Sequence, residues 1–170
     1  MERLRSCMPF EIVVVNNTPL TPHADLDTVA FTFLRQVGYL ERGADDETAT
    51  RKGVAYRLVR DCFLMRPEKM WTADELVTTL ETTRPTLYRH LNKLKALDVL
   101  EESGVEDDST GRKAYRIRYG NFAKAWNFVE ANVKIAMENY RKSVDHLQQL
   151  GERAAKETQR SPRGAKEVRA

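Results

Sequence analysis

Between Trp71 and Arg118, two short amphipathic stretches meet at a tight turn and lead into an alternating segment. No other part of the chain restricts the fold as strongly. Thr72 precedes an apolar-periodic run, and Glu75 follows three residues later. That spacing is a capping box: the hydroxyl accepts from a first-turn N–H, and the carboxylate reaches back to the cap N–H. The helix it opens carries Ala73, Leu76, Val77 and Leu80 at helical spacing. Glu81-Thr82-Thr83 then interrupts the pattern. Thr83 is a second N-cap, and Pro85 falls in the first turn, where its missing N–H costs nothing.

The second helix is expected to bury Leu87, Leu91 and Leu94. At about 100° per residue its opposite face shows Pro85, Thr86, Arg89, Asn92, Lys93 and Ala96. Arg89 and Lys93 stand one turn apart, flanked by Asn92. Arginine and asparagine make bidentate contacts with guanine and adenine edges. Tyr88 sits at the shoulder of this face, within reach of a phosphate, and His90 lies nearer the buried edge. A basic face of this kind also occurs as an ordinary solvated surface. The elements around it favour contact with DNA.

A strand is expected over Val99–Ser103, a polar turn over Gly104–Gly111, and a second strand over Ala114–Arg118. The second strand alternates cleanly, with Tyr115 and Ile117 on one face and Arg116 and Arg118 on the other. Arg112 and Lys113 lie just past the tip, placed to touch backbone or minor groove.

The run from Thr72 to Glu101 resembles the winged helix-turn-helix of ArsR-, MarR- and PadR-type transcriptional regulators, and Pro85-Thr86-Leu87-Tyr88-Arg89-His90-Leu91-Asn92-Lys93-Leu94 is close to their recognition-helix pattern. The resemblance covers about residues 50–120. It implies that the second helix enters the major groove and the hairpin, the wing, contacts the flanking backbone. By position those roles fall on Thr83 to Lys95 and on Arg112 and Lys113. The DNA-contacting set is thus Thr83, Arg84, Thr86, Tyr88, Arg89, Asn92, Lys93, Arg112 and Lys113. Two departures stand out. Asp98 occupies a place where many relatives carry glycine, and the paired cysteines of metal-sensing ArsR members are missing.

The net charge of +3 over 170 residues gains meaning from its location. Residues 151–170 hold six basic and three acidic side chains, so the first 150 residues are neutral overall. Affinity for a polyanion must come from local clustering. Residues 82–100 supply a cluster, with Arg84, Arg89, Lys93 and Lys95 against Asp98. The wing region is nearly balanced, and Glu106-Asp107-Asp108 on its loop would repel phosphate, so the helix is expected to carry more of the contact than the wing tip. Cys7 and Cys62 are far apart with no metal-ligand spacing, and no stretch is long and apolar enough for a membrane. These features point to a reduced, cytoplasmic, nucleoid-associated chain with no cofactor and no metal. Neither a glycine-rich phosphate loop nor a nucleophile–base pair appears, so an enzyme is not expected.

The flanks complete the expected architecture. Phe10–Val15 reads as a strand. Asp25 caps a helix to about Tyr39, with Leu26, Val29, Ala30, Phe33, Leu34 and Val37 on one face. After a loop at Gly43–Asp46, one helix from about Glu47 to Met65 opens the winged domain. Beyond Asn121, Phe122, Trp126, Val129, Val133, Ala136, Tyr140, Val144 and Leu147 recur at steps of three and four. This near-heptad stripe implies a helix of about 45 Å over 121–150, longer than a small domain needs. Phe122, Trp126, Val129, Val133, Tyr140, Val144 and Leu147 are its candidate dimerisation residues.

The expected fold is mainly α with a small β-hairpin wing, an N-terminal strand and helix extension, and a long C-terminal dimerisation helix. Its divisions are residues 1–46, the winged domain 47–120, the helix 121–150 and a disordered basic tail 151–170. The function expected of it is sequence-specific binding of double-stranded DNA by a homodimeric transcriptional regulator on a palindromic site. The neutral body and acidic wing keep open an alternative, a winged-helix protein–protein interaction module. Whether a small-molecule effector is sensed is not legible in the residues.

Overall fold

A computed structural model describes residues 19–23, 25–41, 46–104 and 112–160. The expected strand at Phe10–Val15, most of the loop before Glu47, the acidic wing loop and the end of the basic tail lie outside these residues. The chain forms two compact units, one ending at Val129 and the other beginning at Glu130.

Helix α1 (Leu26–Gln36) starts at Asp25, whose carboxylate accepts from the Thr28 N–H at 2.7 Å. It ends earlier than the expected Tyr39 because Gly38 takes φ 81° and lets the Tyr39 and Leu40 N–H groups turn back onto the Leu34 carbonyl. Ala30, Phe31 and Leu34 are buried, whereas Leu26 is 43% exposed, so the inward face is rotated toward Phe31 from the one expected.

The helix expected from Glu47 to Met65 is not one helix. It comprises α2 (Glu47–Lys52), α3 (Val54–Arg57) and a widened π-type segment, Leu58–Leu64. Gly53 makes the break: with φ −67° and ψ 151° it ends α2 and caps α3 in an extended conformation. At the other end, the Met65 N–H donates to the Arg60 carbonyl five residues back, the spacing of a π turn.

The next elements follow closely. Strand β1 (Trp71–Thr72) runs into α4 (Ala73–Leu80), and α5 (Arg84–Ala96) follows after a turn in which Glu81 takes φ 52°. Both arms of the capping box form: the Thr72 N–H donates to Glu75 at 2.8 Å, and the Glu75 N–H donates to the Thr72 hydroxyl at 3.3 Å. Strands β2 (Leu100–Gly104) and β3 (Lys113–Ile117) form the hairpin, with Glu102 opposite Tyr115 and Leu100 opposite Ile117. The sheet has three strands in the order β1-β3-β2, one more than expected, because Trp71 and Thr72 pair with Tyr115 and Ala114. Helix, turn, helix and antiparallel hairpin in this order make a winged helix-turn-helix.

Leucines from α4 and α5, Phe63 and Cys62 of the π segment, Trp71 and Ile117 make the core, all nearly or fully inaccessible. The Trp71 indole N–H donates to the Cys62 carbonyl at 3.1 Å, so its one polar atom is satisfied in an apolar setting. Burial pushes the Cys62 thiol up to about 11, which makes it inert packing. Helix α1 belongs to this same body. Its Asp27 accepts the Tyr56 hydroxyl at 2.9 Å and Arg60 Nε at 2.8 Å. Those two donors, Arg60 first, hold the Asp27 carboxyl below its ordinary value.

Helix α6 (Phe122–Arg160) is capped by Asn121, whose side chain accepts the Lys124 N–H at 3.0 Å. It continues through Gly151 to Arg160, past the expected end at 150, so the first part of the expected tail is helical. A lone glycine costs a helix about 1 kcal/mol, and the flanking Ala154, Ala155, Lys156 and Glu157 are good helix formers.

Candidate nucleic-acid interface

The outer face of α5 is assembled by its leucines. Leu87 and Leu91 are fully inaccessible and Leu94 is 3% exposed, which fixes the rotation of the helix about its own axis. Arg89, Asn92 and Lys93 consequently emerge on the opposite side, all exposed. Thr83 caps the helix from outside its first turn, its hydroxyl bonding the Thr86 hydroxyl at 3.0 Å, and Pro85 sits in that turn. Thr83 and Arg84 are exposed, and Thr86 is half-buried.

Charge pairing divides the cations of this region into two sets. Arg84 is ion-paired with Asp74 of α4. Lys95 at the end of α5 and Lys113 at the start of β3 both reach Glu102, each at 2.5 Å. Arg116 pairs with Glu101, and Arg118 with Asp98. Arg89 and Lys93 have no acidic partner among the described residues. The two cations on the face opposite the buried leucines are thus without an ion pair among the described residues.

Glu102 joins α5 to the hairpin. Its carboxyl is held below the ordinary value by Lys113 first and Lys95 second. Beneath it, the Tyr115 phenol is pushed up to about 12 by burial, by Glu102 and by Tyr88. Tyr88, 39% exposed, therefore stands beside the wing, at the seam between helix and hairpin. Arg112 and Lys113 are exposed at the hairpin's second strand, as the sequence placed them. The carboxylate bridge escaped sequence reading because Glu102 meets Lys113 only through the β2–β3 register.

Asp98 takes φ 64°, the left-handed conformation that glycine adopts without strain. Its carbonyl accepts Arg118 Nε at 3.1 Å, and Arg118 lies over the Phe128 ring at 4.6 Å. Asp98 therefore serves both as the turn after α5 and as an anchor for the end of β3.

His90 is half-buried with its Nδ1 unpartnered, and its ring meets Tyr39 edge-on at 6.4 Å. Burial, then Arg89 and Lys93, lower its pKa from the ordinary value. This matches its expected place at the core edge. It also shows that the chain just after α1 touches α5, which no periodicity disclosed.

The seven candidate dimerisation residues separate into two groups. Phe122 and Trp126 stack on each other and meet Phe33 of α1 edge-on at 6.1 and 5.1 Å, and Val129 is fully inaccessible. Val129 is thus buried within one chain, while Phe122 and Trp126 are half-buried against Phe33 of α1. Val133 is half-buried, while Tyr140, Val144 and Leu147 are 68%, 56% and 70% exposed.

Among the described residues no cluster of histidine, cysteine and carboxylate groups is placed to hold a metal ion. No described helix is long and apolar enough to cross a membrane.

No family model and no curated protein matches the chain. Similar solved structures include a possible transcriptional regulator from Methanosarcina mazei Go1, 19% identical with a TM-score of 0.41 over 54% of this chain and 75% of that one. They also include MepR, a transcription regulator of the Staphylococcus aureus multidrug efflux pump MepA, 18% identical with a TM-score of 0.33 over 78% and 85% of the two chains. A mutant of Lactococcus lactis ZitR is 15% identical with a TM-score of 0.33 over 77% and 86%. The assignment of the fold rests on the chain's own order of elements and strand pairing.

Proposed function

We propose that this winged helix-turn-helix chain is a transcriptional regulator that binds double-stranded DNA, with α5 in the major groove and Arg112 and Lys113 of the wing on the flanking backbone. The observation that carries this reading is the exposed face of Arg89, Asn92 and Lys93. Its two cations lack acidic partners among the described residues, while Arg84, Lys95, Lys113, Arg116 and Arg118 each have one. Leaving a guanidinium and an ammonium group unneutralised on a rigid helix favours an anionic ligand, and asparagine beside arginine supplies the donor and acceptor pattern for base edges. Tyr88 and Thr86 position the helix against phosphates. The protein acts as a homodimer through α6, so that two recognition helices meet the two halves of a palindromic site.

Selecting fragments from genomic DNA with the purified chain tests this function. Enrichment of a short inverted repeat, bound with steep salt dependence, is the expected result. The neutralised wing favours a second reading, in which the hairpin and α5 dock a protein. A chain that binds no DNA even at low ionic strength, yet forms a stable hetero-complex, would establish that reading instead.

A further inference from the structure

The helix from Glu130 onward carries an apolar face that nothing within its own unit covers. At about 100° per residue, Val133, Met137, Tyr140, Val144 and Leu147 fall in one stripe, continued by the small residues Gly151 and Ala154. Met137, Tyr140, Val144 and Leu147 are each more than half exposed. The two borders of the stripe differ in kind. One carries Glu130, Lys134, Arg141, Asp145, Glu152 and Lys156, and the other carries Asn132, Asn139, Ser143 and His146, with Glu157 as its one charge near the end.

This asymmetry decides orientation. In a parallel pair opposite borders meet, so only Lys156 finds an acid across the seam, Glu157, and the other five charges face uncharged side chains. In an antiparallel pair like borders meet. With the two chains crossing near Ser143, Lys134 falls opposite Glu152, Arg141 opposite Asp145, and Glu130 opposite Lys156. All three juxtapositions have opposite charge, and all three share one midpoint. The same register places Tyr140 against Leu147 and Ala136 against Gly151, so large meets large and small meets small. Sliding either helix by one turn brings Lys134 toward Lys156 or Gln148 and loses the match.

We infer that the face from Val133 to Ala154 is covered by the same face of a second copy, antiparallel and centred near Ser143. The inference rests on the homodimer proposed above and fixes its orientation and register.

The full chain, with Cys7 replaced by serine and Cys62 left buried, is spin-labelled singly at Ile135 or at Lys142, both on the outer side of the helix. Pulsed EPR should give a separation at 135 about 10 Å longer than at 142, because the axial offsets are roughly 24 and 3 Å at 1.5 Å per residue. Equal short separations at both sites would overturn the antiparallel pair while leaving a dimer. Absence of dipolar coupling, with a monomer in sedimentation equilibrium, would overturn the dimer itself. Charge exchange gives a second readout. Lys134→Glu should weaken dimerisation by about fivefold to tenfold, since each of two symmetric sites turns from attraction to repulsion. Adding Glu152→Lys should restore it, although the carboxylate introduced at position 134 still faces Glu130 in its own helix. Failure of that rescue would refute the register. DNA binding is titrated separately, so loss of the regulatory reading and loss of this one are distinguishable.

Discussion

Glu102→Gln isolates the role of the carboxylate that joins helix and wing. In the free protein Glu102 engages Lys95 and Lys113, each at 2.5 Å, with the two lysines 40% and 60% exposed. A phosphate reaching either amine lies on the order of 5 Å from that carboxylate, where two unit charges in water interact by about 0.8 kcal/mol. This distance is shorter than the Debye length of about 10 Å at 0.1 M salt, so much of the repulsion survives. Removing it should tighten DNA binding by roughly fourfold, at about 1.4 kcal/mol per tenfold. Each amine newly given to a phosphate should steepen the slope of log K against log salt by about 0.9. Folding should barely change, because exposed ion pairs contribute about 0–1 kcal/mol. Fluorescence anisotropy on one labelled duplex across a salt series reads both quantities. Weaker binding by Glu102→Gln, or an unchanged affinity and slope, would refute the idea that the bridge competes with DNA. The depressed pKa of Glu102 also sets a sign: its contribution to folding is present above the ordinary carboxyl value of 4.5 and is lost as pH falls through the lower folded value.

Other outcomes follow from the core and the caps. Trp71→Phe should cost about 1–3 kcal/mol in urea unfolding, because the Cys62 carbonyl loses its donor in a site where the tryptophan is only 2% accessible. Thr72→Ala should cost about 1 kcal/mol by breaking the capping box, with the exposed face of α5 unchanged. His90 has a folded pKa below its unfolded value, so the unfolded chain takes up the proton first. Stability should therefore be full above the ordinary value of 6.5 and fall as pH is lowered through it. Thermal unfolding of His90→Leu, followed from neutral to mildly acidic pH, should show a flatter dependence, and an unchanged slope would remove His90 as the source.

Features settled by neighbours in sequence were legible before the structure. The capping box at Thr72 and Glu75, the cap at Thr83 and the leucine row of α5 depend on contacts within one or two turns, and each forms as spaced. Periodicity identifies a shared face but not what covers it. Phe122, Trp126 and Val129 sit on the same stripe as Tyr140, Val144 and Leu147, yet Val129 is buried in the core and Phe122 and Trp126 pack in part against Phe33 of α1. Gly53 fits inside a helical pattern as a tolerated glycine, and only its extended ψ of 151° marks the break. The third strand is two residues long, too short to alternate visibly, and depends on pairing with Tyr115 far along the chain. The Glu102 bridge and the Tyr39–His90 contact likewise arise from register and packing between distant segments.

The central claim is that the unneutralised face of α5 reads DNA. The most direct measurement is an anisotropy titration of the wild-type chain and Arg89→Ala against a selected site and a scrambled duplex of equal length. Arg89→Ala should lose about 1–3 kcal/mol on the selected site and much less on the scrambled one, so that discrimination collapses. Equal affinity of wild type and Arg89→Ala for the selected site would show that another surface binds the DNA.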